Sequence, residues 1–229
     1  MSMNWGDSQT DHPPIFHRLP AAFGGPVSPT SEPFLGDLGV IIKNTISGEE
    51  CRALIKAVEE QGFQAADEYC FSYRDRLNDR FMSDDSQLAD ILWSRVEQFV
   101  PKKIDNPFGS RDPRTWEVEK MNIRFRFCKY IGGKGHHFGA HTDGMYSIDN
   151  THTSLLTCMF YLNGGDEFKG GTTDFIDHKT HERKCSVCPE PGLCLIFRQA
   201  NLDCYHLGTE VTEGLKYILR TDIMYHSKS

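Results

Sequence analysis

The sequence has no long apolar run: nowhere do the roughly 20 consecutive nonpolar residues that a membrane-spanning helix requires occur. It has no excess of positive charge either. With 32 acidic against 25 basic residues and a net charge of −7, no global field draws the chain to a polyphosphate or an anionic membrane. Duplex nucleic acid, whose phosphates need clustered Lys and Arg, is therefore not an expected partner. The opening stretch MSMNWGDSQTDHPP lacks the positive start, apolar core and small-residue cleavage site of a secretion signal, and the chain has no internal repeat. A soluble intracellular protein, cytoplasmic or nuclear, is expected. A disulfide framework is not, because several of the 8 cysteines (Cys128, Cys158, Cys194) lie inside apolar runs, where a reduced thiol serves as a small hydrophobe.

What is present is enough for one core. A chain of 229 residues, 38% hydrophobic, reads as a single globular domain over residues 38–229. Residues 1–37, rich in Pro, Ser, Gly and His without apolar periodicity, read as a loose arm. GVIIKNTI (39–46) is a strand candidate. After it, Ser47 with Glu50 three positions on makes a capping box, and Cys51, Leu54, Ile55 and Val58 recur at helical spacing. A second helix is predicted from about Ser86, with Leu88, Ile91, Leu92, Val96 and Phe99 on one face and Pro101 ending it. Between them, YRDRLNDRFMSDD (73–85) reads as a solvated charged loop, or else as a substrate-facing rim with Arg80 its candidate.

After Trp116 the pattern alternates. In NIRFRFCKY (122–130), Ile123, Phe125 and Phe127 alternate with Arg124, Arg126 and Cys128, the mark of a sheet with one buried face. SLLTCMFYLN, GGTTDFI, GLCLIFR and LKYILRTDIMY continue the series between Gly, Asn and Asp turns. Two helices followed by many short strands predict an α+β fold with a β-sandwich or barrel as its body.

One stretch carries chemistry. In FGAHTDGM (138–145), His141 and Asp143 stand two apart, so on an extended backbone both leave the same face, as two ligands of one metal would. His206, in LDCYHLGTEV, follows a predicted strand and supplies a third ligand if the fold returns it to the same mouth. Two histidines and one carboxylate on one face of an iron leave the opposite face open. The same three residues also admit a zinc-dependent hydrolase, and a jelly roll that only binds is the other rival. A separate group, His178, His181, Cys185 and Cys188, has spacings that suit a structural zinc or a charged loop with two thiols.

The order Tyr130, F138-G-A-H-T-D-G144, F-Y161-L-N, G170-G-T-T, H206-L-G and V-T-E-G214-L-K216-Y resembles the prolyl 4-hydroxylase-like branch of the 2-oxoglutarate and Fe(II)-dependent dioxygenases, over residues 38 to 226. The resemblance implies a double-stranded β-helix (jelly-roll) core with two N-terminal helices on its major sheet. It implies Fe(II) held by His141, Asp143 and His206, 2-oxoglutarate and O2 as cosubstrates, and ascorbate as an admissible reductant. Lys216 matches the basic residue for the distal carboxylate of 2-oxoglutarate, Tyr161 a tyrosine sharing that carboxylate, and Tyr130 one near the metal end. Arg220, four after Lys216 on the same strand face, is a rival clamp. The implied activity is hydroxylation of an unactivated C–H bond, with peptidyl proline the family's best-known target and another peptide residue or a small molecule equally admitted. His136 and His137 have no counterpart in the family's pattern.

Overall fold

A computed structural model describes residues 12–65, 76–109 and 113–227. Residues 1–11 of the arm and 73–75 of the charged segment lie outside the described residues. The chain runs β1 (Thr30–Phe34), β2 (Gly39–Lys43), α1 (Gly48–Gln61), β3 (Arg76–Leu77), β4 (Asp79–Asp84) and α2 (Ser86–Val96). Next come β5 (Lys103–Asp105), β6 (Thr115–Met121), β7 (Arg124–Ile131), β8 (His137–His141) and β9 (His152–Tyr161). Last are β10 (Phe168–Gly170), β11 (Thr173–Ile176), β12 (Arg183–Val187), β13 (Cys194–Arg198), β14 (His206–Gly208) and β15 (Val211–Ser227).

The larger antiparallel sheet runs β1-β2-β13-β9-β15, and beyond β15 it continues with β7 and β4 along one stretch and with β6 and β5 along the next. The smaller sheet runs β12-β11-β14-β8-β3. Phe175 and Val187 of the smaller sheet pack with Tyr130, Met159, Leu195, Phe197 and Ile218 of the larger, which closes the jelly roll. A second core lies on the outer face of the larger sheet. There Cys51, Leu54 and Val58 of α1 and Leu88, Leu92 and Val96 of α2 meet Phe125, Phe127, Phe160 and Leu219. The expected double-stranded β-helix with two helices on its major sheet is the fold of this protein.

Local signals explain the helices. Ser47 Oγ accepts from the Glu50 amide at 3.2 Å while Glu50 Oε2 accepts from the Ser47 amide at 2.9 Å, so the capping box forms. Asp85 caps α2 through the Leu88 amide at 3.0 Å. All described cysteines are free.

Two expectations are corrected. The charged segment is not a loop: β4 pairs with β7 throughout, and Phe81, Met82 and Ser83 are buried. Arg80 is only 4% exposed, inside that strand, so it forms no rim. Nor is the described part of the arm loose. Ile15 and Phe23 are buried in the helix-side core, the Ile15 and Phe16 amides donate to Asp85, and β1 pairs with β2. Isolated apolar anchors in a Pro- and Gly-rich stretch carry no periodicity, so the sequence pattern hid them.

Glu50 and Arg95 tie these parts together. Arg95 Nη2 lies 2.7 Å from Glu50 Oε1 and donates to the Gly25 carbonyl, while Glu50 Oε1 accepts from the Gly24 amide. Both side chains are under 10% exposed. Arg95→Leu is expected to destabilise the fold by about 3 kcal/mol, because it strands a buried carboxylate. The shift in the urea midpoint measures it, and an unchanged midpoint contradicts the pairing.

A candidate metal centre and its pocket

His141 ends β8 and His206 begins β14, and the two are directly opposed partners in the smaller sheet. Asp143 follows two residues after His141, its backbone fixed by the Ala200 amide, which donates to the Asp143 carbonyl at 2.9 Å. One ligand atom from each of the three side chains lies within 4.8 Å of the others, a separation that a single ion can span. The convergence expected from the spacing is therefore present in the fold.

The rings are set up as ligands. His141 Nδ1 lies 2.7 Å from the Gly139 carbonyl and His206 Nδ1 lies 2.9 Å from the Cys204 carbonyl. A carbonyl only accepts, so each Nδ1 carries the proton and each Nε2 presents its lone pair. His141 Nε2 is buried with no hydrogen-bond partner, the atom a metal ion would satisfy. Burial pushes His206 down to about 4, which keeps it neutral and ligating at physiological pH. Phe138 stacks on His141 at 3.7 Å, and Phe175 stacks on His206 at 5.2 Å, so apolar rings fix both imidazoles.

Asp143 is held as an anion. Burial alone would raise its carboxyl, but the Arg220 guanidinium beside it opposes this, and the carboxyl is held well below the usual carboxylate range. Arg220 Nη2 lies 3.3 Å from Asp143 Oδ1, and the Thr157 hydroxyl donates to Oδ2 at 2.6 Å. Two histidines and an ionised carboxylate in this arrangement fit Fe(II).

The pocket beside this centre is lined by Lys216, Tyr130, Thr173, Ile218, Met159 and Arg220, among others. Lys216 is 3% exposed at the far end, where Nζ donates to the Gly171 carbonyl at 2.6 Å. Burial pushes its ammonium down to about 8. Nζ stands 5.0 Å from the Tyr130 ring and 5.7 Å from the Tyr161 ring, so the tyrosines contribute π faces to the cation. Gly214 lies within β15, two residues before Lys216; its φ is +75°, and a β-carbon there would run into the Glu167 carbonyl.

The tyrosines depart from the expected pattern. Tyr161 is fully buried behind the wall, and its hydroxyl donates to Thr173 at 2.7 Å, so Thr173 and not Tyr161 presents the hydroxyl to the pocket. GGTTDFI held that signal, but a threonine in a strand reads first as a packing residue. Arg76, Arg126 and Phe138 also line the pocket without having been singled out. His136 is structural: its Nδ1 accepts from the Ile131 amide at 3.1 Å. Among the described residues His178, His181, Cys185 and Cys188 form no metal-binding group, so the zinc reading of that segment is not supported.

Comparison with known proteins agrees with this geometry. Residues 125–221 match the 2OG-Fe(II) oxygenase superfamily, a span that includes His141, Asp143, His206, Lys216 and Arg220. No curated protein matches the chain in sequence. Among solved structures, the viral collagen prolyl hydroxylase of Paramecium bursaria Chlorella virus-1, in its 2OG complex, is similar with 20% identity, a TM-score of 0.53 and coverage of 83% of this chain and 97% of that one. A Pseudomonas putida prolyl-4-hydroxylase is similar with 14% identity, a TM-score of 0.53 and coverage of 83% and 93%. A Trichoplax adhaerens prolyl hydroxylase, in complex with a hypoxia inducible factor oxygen degradation domain peptide fragment, has 13% identity, a TM-score of 0.57 and coverage of 81% and 82%. At such identities the likeness is one of fold.

Proposed function

With residues 125–221 belonging to the 2OG-Fe(II) oxygenase superfamily, we propose that this oxygenase holds one Fe(II) through His141, Asp143 and His206, binds 2-oxoglutarate between that site and Lys216, and hydroxylates an unactivated C–H bond of a second substrate. The observation that carries this reading is the convergence of three ligand atoms within 4.8 Å in a pocket that ends on a buried lysine. When bound, iron, 2-oxoglutarate and O2 supply the oxidising chemistry: succinate and CO2 are released and one oxygen atom enters the substrate.

The protein's own residues bind, orient and exclude water. The Gly139 and Cys204 carbonyls fix the two imidazole tautomers, and Thr157 and Arg220 orient Asp143. Lys216 neutralises the distal carboxylate, which in a closed pocket would otherwise cost several kcal/mol. Thr173 and the rings of Tyr130 and Tyr161 support that end. No side chain is required as a general base, and Asp143 is the one carboxylate among the described residues lining the pocket. That observation weighs against a hydrolase, which needs an acid or base beside its metal. Peptidyl proline is one substrate class this reading admits, and ascorbate one reductant.

The test is a succinate assay with Fe(II), O2 and 2-oxoglutarate. Iron-dependent succinate supports the reading; turnover of ester or amide substrates with zinc alone would replace it with a hydrolase.

Lys216 gives the assay a pH signature. Its ammonium titrates near 8 before 2-oxoglutarate binds, and a bound carboxylate raises that value. Below pH 8 the lysine is already charged, and above it binding must take up a proton. The apparent 2-oxoglutarate constant should thus be flat on the acid side and rise above about pH 8, approaching tenfold per pH unit. Lys216→Arg, charged throughout, should remove the rise. A wild-type constant that is flat to about pH 9.5 would contradict this placement of Lys216.

A further inference from the structure

Arg126 on β7 and Arg220 on β15 are directly opposed partners, and both line the pocket beside the metal centre. They flank one buried carboxylate: Arg126 Nη1 lies 3.1 Å from Asp222 Oδ2, and Arg220 Nη2 lies 3.5 Å from Asp222 Oδ1. Gln199 Nε2 also donates to Asp222, at 2.7 Å, and Gln199 is held in turn by Ser154. Asp222 is thus well supplied with donors. The Arg220 guanidinium is not fully used, since its Nε is buried with no hydrogen-bond partner. The Arg126 and Arg220 side chains are 21% and 18% exposed, so both heads remain reachable from the pocket. Arg76 lies 4.7 Å over the Phe138 ring and adds a third guanidinium to the same wall.

Charge makes the arrangement specific. An Fe(II) ion and dianionic 2-oxoglutarate cancel one another. Arg126, Arg220 and Lys216 then face Asp143 and Asp222, which leaves one positive charge even without Arg76. Lys216 is committed to the cosubstrate, and Asp143 shares its charge with the ion, so the surplus sits at Arg126 and Arg220. A partly buried guanidinium without full compensation is unfavourable, and its planar fork is matched by a carboxylate.

We infer that the second substrate carries a carboxylate that docks on Arg126 and Arg220 next to the C–H bond to be hydroxylated. This rests on the oxygenase reading above and narrows it to acidic substrates. The carboxylate can belong to an acidic peptide side chain or to a small aliphatic acid. The protein's negative net charge gives no hint of this, because the basic groups are gathered on one interior face.

The test uses the full chain loaded with Zn(II) and saturated with 2-oxoglutarate, so that binding is read without turnover. Two matched sets are titrated by calorimetry: short proline-centred peptides flanked by Glu or by Gln, and small aliphatic acids with their primary amides. At least one acid should bind tenfold or more tighter than its amide, and the set in which it does so identifies the source of the carboxylate. Arg126→Gln should reduce that ratio to threefold or less, and Arg126→Lys should restore part of it. No acid preferred over its amide in either set would overturn the inference. So would an Arg126→Gln protein that keeps the full preference. The wild-type comparison needs no variant, so a folding defect in Arg126→Gln cannot shield the idea. Iron-dependent succinate release in the absence of a second substrate, measured in parallel, separates failure of this inference from failure of the oxygenase reading.

Discussion

His141→Ala is expected to abolish Fe(II)-dependent conversion of 2-oxoglutarate to succinate while the protein stays folded. In the proposed site the ring is one of three protein ligands, and altering even a group that merely orients a ligand costs 10–100-fold in metal affinity, so losing the ligand itself should cost more than about 100-fold. The fold should survive because His141 lies outside both apolar cores, at the end of a strand whose backbone pairing does not need the ring. Asp143 requires a different substitution. Thr157 donates to it and Arg220 pairs with it, so Asp143→Ala would leave the partly buried Arg220 guanidinium only Asp222 as an ion-pair partner and mix a stability defect with the loss of metal. Asp143→Asn retains an oxygen for Thr157 and is the cleaner variant. Iron content after desalting, succinate release and a thermal melt are the three measurements. Full iron occupancy and turnover in His141→Ala would remove it from the metal site.

The second large effect concerns the clamp. Lys216→Ala should raise the apparent 2-oxoglutarate constant tenfold or more, about 1.4 kcal/mol for a lost charged contact. Lys216 and Arg220 share a face of β15 but stand about 13 Å apart by the strand rise, so one carboxylate cannot use both. Arg220 is already engaged with Asp143 and Asp222 beside the candidate metal centre, whereas Lys216 ends the pocket with the Gly171 carbonyl as its one hydrogen-bond acceptor among the described residues. Arg220→Ala should therefore change the 2-oxoglutarate constant less than it lowers stability or use of the second substrate. A larger rise for Arg220→Ala than for Lys216→Ala would reverse the assignment.

Several features were legible before any fold was known because they are local. The Ser47–Glu50 capping box, the helical spacing of Leu88, Leu92 and Val96, and the same-face pairing of His141 with Asp143 depend only on residues within a turn or two of one another. The ordered motifs from Tyr130 to Lys216 carried the family resemblance, and with it the jelly roll, iron and 2-oxoglutarate. The anchors Ile15 and Phe23 were illegible for the opposite reason: each acts alone, against helices distant in sequence.

The alternation in residues 122–130 shows where local reasoning stops. A period of two says that Phe125 and Phe127 face away from Arg126 and Cys128, but not what each side meets. The phenylalanines face the helices, while Arg126, Cys128 and Tyr130 face the interior of the jelly roll, so the side that reads as solvent-facing is a wall of the candidate site. Ile123, read as the first buried member, precedes β7 and is 42% exposed.

By itself the sequence determined the two helices, the main alternating strands and the ligand types, because helix caps, strand alternation and metal-binding side chains act over a few residues. Only the tertiary structure decided that His206 meets His141 across a sheet, that Tyr161 hides behind Thr173, and that Arg126 and Arg220 share one interior surface. Those are outcomes of strand register and of which sheet faces which, set by side chains that meet only once both sheets have closed.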